Sequence, residues 1–148
     1  MKQMKYLFMI LMLSLIANCS SAQSTSGGEV IKLNKADFLV KVFNYEKQNE
    51  EWVYEGKKPC VIDFYADWCG PCKMIAPIMK ELASTYKDEV IFYQIDVDVE
   101  RELAVIFGAS SIPMILFIPV KGTPQAAVGA LPKATMEEQI KLMLGKKS

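Results

Sequence analysis

One stretch confines the fold more tightly than the rest of the chain. Residues Pro59 to Ala66 (PCVIDFYA) are nearly continuously apolar, as expected of a central strand buried on both faces. Shortly after it, Cys69-Gly70-Pro71-Cys72 opens a segment with helical character that runs to about Tyr86. A C-x-x-C pair can serve redox chemistry, zinc or haem attachment. Here the other two cysteines, Cys19 and Cys60, form no second C-x-x-C, and the chain contains no histidine. A zinc site would have to be built from cysteines and carboxylates, and Ser-His or Cys-His catalysis is excluded.

The flanking segments alternate. Val30 to Leu33 is a short strand, and Asn34 with Asp37 three residues later forms a helix start, followed by Phe38, Leu39, Val42 and Phe43 at helical spacing. Asn44 to Lys58 is polar and acidic, with Trp52 and Tyr54 embedded in it. Beyond the cysteines come strand VIFYQI, helix ERELAVIF, strand MILFI, a turn around VKGTP, strand QAAVG and a last helix after Pro132. Alternation that closes in a hairpin implies a mixed sheet covered by helices, an α/β sandwich. At 148 residues the chain suits one domain with a real core. Its 17 basic and 17 acidic residues give no basic field, so nucleic acid is not an expected partner.

The N-terminus stands apart. Lys2 and Lys5 precede the apolar run Tyr6 to Ile16, and small and polar residues follow through Ser26. That is the pattern of a secretory signal, and the run is too short to span a membrane. Residues 1–22 are expected to be the signal, 23–29 a flexible linker and 30–148 the folded domain. Two cleavage positions compete. Leu15 to Cys19 (LIANC) resembles a bacterial lipoprotein box with a lipidated cysteine, although Asn18 replaces its usual small residue. Ser20-Ser21-Ala22 presents the small residues read by an ordinary signal peptidase. Either cut removes Lys2 and Lys5 and leaves 15 basic against 17 acidic residues.

Taken together, WCGPCK after a buried strand, Asp63 six residues before Cys69, Pro77 in the following helix, Ile112-Pro113 before MILFI and Gly129 resemble the thioredoxin family. The likeness covers most of residues 30 to 144. It implies a three-layer α/β/α sandwich with a central mixed sheet and a redox disulfide between Cys69 and Cys72. Cys69, at a helix N-terminus where unpaired N–H groups favour a thiolate, would attack a substrate disulfide. Cys72, one turn further in and shielded, would resolve the mixed disulfide, and Asp63 would take its proton. Trp68, Gly70, Pro71, Ile112, Pro113, Val128 and Gly129 would form an apolar rim, with a cis Ile112–Pro113 bond offering a backbone edge to extended polypeptide. No cofactor and no metal are implied, and a monomer is expected.

Direction follows from the dipeptide between the cysteines. Oxidising relatives place a histidine there, which stabilises the thiolate and so the reduced form; Gly70-Pro71 lacks it, making the dithiol the better reductant. The expected activity is reduction of protein disulfides in the periplasm or cell envelope, recharged by a membrane thiol-electron donor. A disulfide oxidase or isomerase, an apocytochrome c thiol reductase and a non-catalytic binding module are the alternatives. Gln94 departs from the family, which commonly has lysine beside the buried acid; Asp63 without a cation should hold its proton to higher pH. Met74, Met79, Met114, Met136 and Met143 are expected in the core. Cys60 is expected to be an inert buried thiol. Asp96, Asp98 and Glu100 are read as a strand end running into a helix cap. Asn44 to Lys58, longer than the corresponding family segment, is expected to be a surface elaboration pinned by Trp52 and Tyr54, or a partner contact.

Overall fold

The computed structural model describes residues 28–47 and 51–146. The expected signal, its cleavage positions and Cys19 lie outside the described residues.

The elements are β1 (Val30–Lys32), α1 (Lys35–Lys41), β2 (Cys60–Tyr65), α2 (Gly70–Thr85), β3 (Ile91–Asp96), α3 (Arg101–Ile106), β4 (Met114–Ile118), β5 (Gln125–Val128) and α4 (Lys133–Met143). They build one five-stranded sheet in the order β1-β3-β2-β4-β5. β1, β3 and β2 run parallel, and β4 and β5 each run antiparallel to their preceding neighbour. Helices on both faces complete the expected three layers.

Strand alternation decides what each face buries. Cys60, Ile62 and Phe64 of β2 point toward Phe38, Val42 and Leu103, the side of α1 and α3. Val61 points the other way, into Ile75, Met79 and Leu82 of α2 and Met136 and Ile140 of α4. Asp63 is two residues on from Val61, so the pleat turns its carboxyl toward the α2 side as well. The strand that packs the core therefore also aims an acid under α2.

Local signals at helix ends match the sequence. Asn34 Oδ1 accepts the Asp37 N–H at 2.8 Å and caps α1. Glu100 differs from expectation: its side chain makes no cap bond to α3 but accepts the Lys35 N–H, at the start of α1. Asp96 Oδ1 meanwhile accepts the Asp98 N–H. Among the described residues no acidic or cysteine cluster could hold a metal ion, and no helix is long and apolar enough to cross a membrane.

One further expectation needs correction. Met79, Met114 and Met136 are buried, but Met74 is 69% exposed. The buried positions of α2 are 72, 75, 79, 82 and 83, and Met74 falls outside that stripe. Trp52 and Tyr54 pin the stretch before β2, as expected. Trp52 stacks 4.5 Å from Phe43 and meets Phe107 edge-on at 6.4 Å, against the α1/α3 core. Tyr54 donates its hydroxyl to the Lys58 carbonyl at 2.6 Å. Trp52→Ala should cost about 2 kcal/mol, below the roughly 3–5 of a fully buried aromatic because Trp52 is half-buried. Urea midpoints measure it, and insulin reduction at 25 °C should not change.

Candidate active site

α2 begins where β2 delivers the chain to one end of the sheet, and Cys69 is its N-cap residue. Pro71 sits in the first turn, where a missing N–H costs nothing. The Cys69 and Cys72 sulfurs form a disulfide with Cα atoms 5.3 Å apart. Cys69 Sγ also accepts the Cys72 backbone N–H at 3.2 Å. One of the helix's unpaired N–H groups is thus aimed at the sulfur that would carry negative charge after reduction.

Residue burial does not separate the two cysteines, at 4% exposed for Cys69 and 3% for Cys72. What separates them is the environment. Cys72 lines a cavity of about 160 Å³ together with Asp63, Tyr65, Ala66, Asp67, Lys73, Ala76 and Gln94, and Cys69 does not. Asp63 is itself only 4% exposed, and its Oδ1 has no hydrogen-bond partner. Burial pushes its carboxyl up to about 7 from an ordinary value of 3.8. Its register partner on β3 is Gln94, so no lysine stands at that position.

Of the other expected rim residues, Ile112 is the one that packs on the disulfide. Ile112–Pro113 is a cis peptide bond, and Ile112 packs against Ala66, Cys69 and Cys72. The Pro113 carbonyl accepts the Gly129 N–H at 2.8 Å, and Gly129 has φ +97°, a conformation that side chains disfavour. Val128 is exposed beside it, and Met114, next to Pro113, pairs with Val128 across the β4–β5 ladder. Trp68 is 69% exposed, and its Nε1 donates to Asp98 Oδ2 at 2.8 Å. Asp98 was legible only as part of an acidic run. Its role as the tether of an exposed indole follows from β3 and β2 ending side by side. Lys73 and Asp67 at the cavity wall were likewise not singled out. Cys60 lies on the opposite face of β2, fully buried, its thiol pushed up to about 12 by burial.

A mixed sheet of this order, with a C-x-x-C disulfide capping a covering helix and an acid beneath it, defines a class: the protein-disulfide oxidoreductases. The thioredoxin family model matches residues 30–142. A thioredoxin of Borreliella burgdorferi is 46% identical over 115 residues, covering 78% of this chain and 97% of the relative. A thioredoxin of Haemophilus influenzae is 38% identical over 108 residues, 73% of this chain and 91% of the relative. A chloroplastic M-type thioredoxin of Spinacia oleracea is 33% identical over 131 residues, 88% of this chain and 72% of the relative. The crystal structure of chloroplastic thioredoxin z superposes with a TM-score of 0.67 at 24% identity, over 79% of this chain and 96% of the other, a likeness of fold. The chain belongs to the thioredoxin family.

Proposed function

We propose that this protein reduces protein disulfides in the cell envelope. The observation that carries the redox assignment is the asymmetry of the two sulfurs. Cys69 sits at the head of α2 and receives a backbone N–H, while Cys72 faces the cavity that holds Asp63. In this reading Cys69 is the attacking thiolate, Cys72 resolves the mixed disulfide, and Asp63 accepts the Cys72 proton. Exposed Trp68 and Val128, with Gly70, Pro71, Ile112 and Gly129, supply a shallow surface for extended polypeptide, and Pro113, itself buried, contributes its cis bond to Ile112. Such a surface holds its substrate by shape and backbone, with little choice of sequence.

Export is supported by Lys2, Lys5 and the apolar run after them, with either lipidation at Cys19 or cleavage after Ala22. A reductant outside the cytoplasm needs recharging, so a membrane thiol-electron donor is the implied partner, and the protein acts as a monomer. Gly70-Pro71 between the cysteines supports the reducing direction, since no residue there adds to thiolate stability. The equilibrium potential should lie near the roughly −270 mV of thioredoxin, and far below the roughly −120 mV of a strong oxidant. Titration against glutathione and dithiothreitol buffers measures it. A value near that of the oxidant would overturn the reductase reading in favour of disulfide formation.

A further inference from the structure

Asp63 and Gln94 are register partners on adjacent parallel strands, and both line the cavity that Cys72 shares. Asp63 Oδ1 is buried without a partner in the oxidised protein. A buried acceptor without a protein partner is costly unless water reaches it, and the cavity beside Asp63 can hold water. The groups facing the acid come from four elements. β2 and the turn after it contribute Tyr65 and Asp67, and α2 contributes Cys72 and Lys73. β3 contributes uncharged Gln94, and β4 places apolar Ile115 opposite. Lys73 and Asp67 are exposed at the surface, and burial, with no offsetting charge, sets the proton affinity of Asp63.

We infer that Gln94 is a positioning residue for the proton that passes from Cys72 to Asp63. The inference rests on the proposed role of Asp63 as proton acceptor. Its basis is the chemistry of the carboxamide, which offers an N–H donor and a C=O acceptor on one planar group. Asp63 must alternate between a carboxylate, which requires donors, and a carboxylic acid, whose O–H requires an acceptor. No hydrogen bond joins Gln94 to Asp63 Oδ1 in the oxidised protein, so the carboxamide serves both states through water in the cavity they share. A lysine ammonium has donors only and would serve the carboxylate alone. The cavity mixes polar and apolar lining and has room for several waters at about 30 Å³ each, so the carboxamide orders water between the thiol and the acid.

The step balances. The Cys72 S–H proton goes to the Asp63 carboxylate, and its electron pair forms the bond to Cys69 Sγ. The bond between Cys69 and the substrate sulfur breaks, and the substrate leaves as a thiolate that takes a proton from solvent. Cys69 and Cys72 are oxidised by two electrons in all, and the substrate disulfide is reduced by two.

Reduced protein mixed with 5,5′-dithiobis(2-nitrobenzoate) reads the two half-steps separately. Attack by Cys69 releases one coloured thiolate, and resolution by Cys72 releases a second. Between pH 5.5 and 8.5, Gln94→Leu should leave the first release unchanged and slow the second about tenfold. Gln94→Lys should move the acid limb of the second release about one pH unit lower, because an opposite charge beside Asp63 favours its ionised form. A wild-type second release in Gln94→Leu, or an unmoved limb in Gln94→Lys, overturns the inference. Asp63→Asn separates this from the underlying reading. If Asp63→Asn resolves at the wild-type rate, the proton-acceptor role of Asp63 itself fails. If it is slow while Gln94→Leu is normal, only the role of Gln94 fails.

Discussion

Cys69→Ser should abolish reduction of insulin disulfides, a loss on the order of 10³-fold or more, because no other thiol stands at the head of α2. Cys72→Ala should behave differently. On the proposed roles it keeps the attacking sulfur and loses the resolving one, so it should accumulate mixed disulfides that run as adducts on non-reducing gels and collapse with dithiothreitol. The adducts also identify the natural substrates. The distinction does not come from exposure, since both cysteines are nearly buried in the oxidised protein. It comes from the backbone N–H aimed at Cys69 Sγ and from the acid-lined cavity behind Cys72. Alkylation of the reduced protein at limiting reagent, followed by peptide mapping, checks the assignment directly. Faster labelling of Cys72 than of Cys69 would reverse the two roles.

Asp63→Ala should be more stable than wild type near pH 8 and slower in turnover. Asp63 titrates near 3.9 in the unfolded chain and is held up to about 7 by burial in the folded one. Between those values the native state keeps a proton that the unfolded state has released. This group's contribution is therefore fully present below about pH 4, falls as pH rises, and levels off above about 7. The slope approaches 1.4 kcal/mol per pH unit, which caps the total near about 4 kcal/mol. The alanine variant loses that slope, and its gain at high pH is reduced by the small void left behind. Urea unfolding of the oxidised proteins from pH 5 to 9 gives both curves. An alanine variant less stable at every pH would make Asp63 a satisfied structural acid and remove the physical basis for its proton transfer.

Most of the sheet and much of the candidate site could be read along the chain because their signals are local. The apolar run of β2, the Asn34 cap and the C-x-x-C at a helix start each lie within a few residues. Placing Asp63 beneath α2 needed only the parity of one strand. What could not be read shares a different cause. Trp52 was expected to pin its segment, but its partner Phe107 lies far along the chain and no periodicity announces it. Glu100 bonds to Lys35, 65 residues away, instead of capping its own helix. Met74 belongs to a hydrophobic word, KMIAP, and only the phase of α2 against the sheet turns it outward. Cys69 was placed correctly at the helix head, yet its burial depends on Ile112 from another loop. Local chemistry was visible, and the pairing of distant segments was not.

The order of the strands has a consequence for a protein that handles other chains. The margins of the sheet are β1, three residues long, and β5, four residues long. Short margins leave few free amides and carbonyls on which a foreign strand could grow. Polypeptide with exposed disulfides is often partly unfolded and ready to add itself to any open ladder. This molecule gives it little to extend at either border, so on the proposed binding mode such a chain would meet the loop edge beside the disulfide without finding a margin on which to grow.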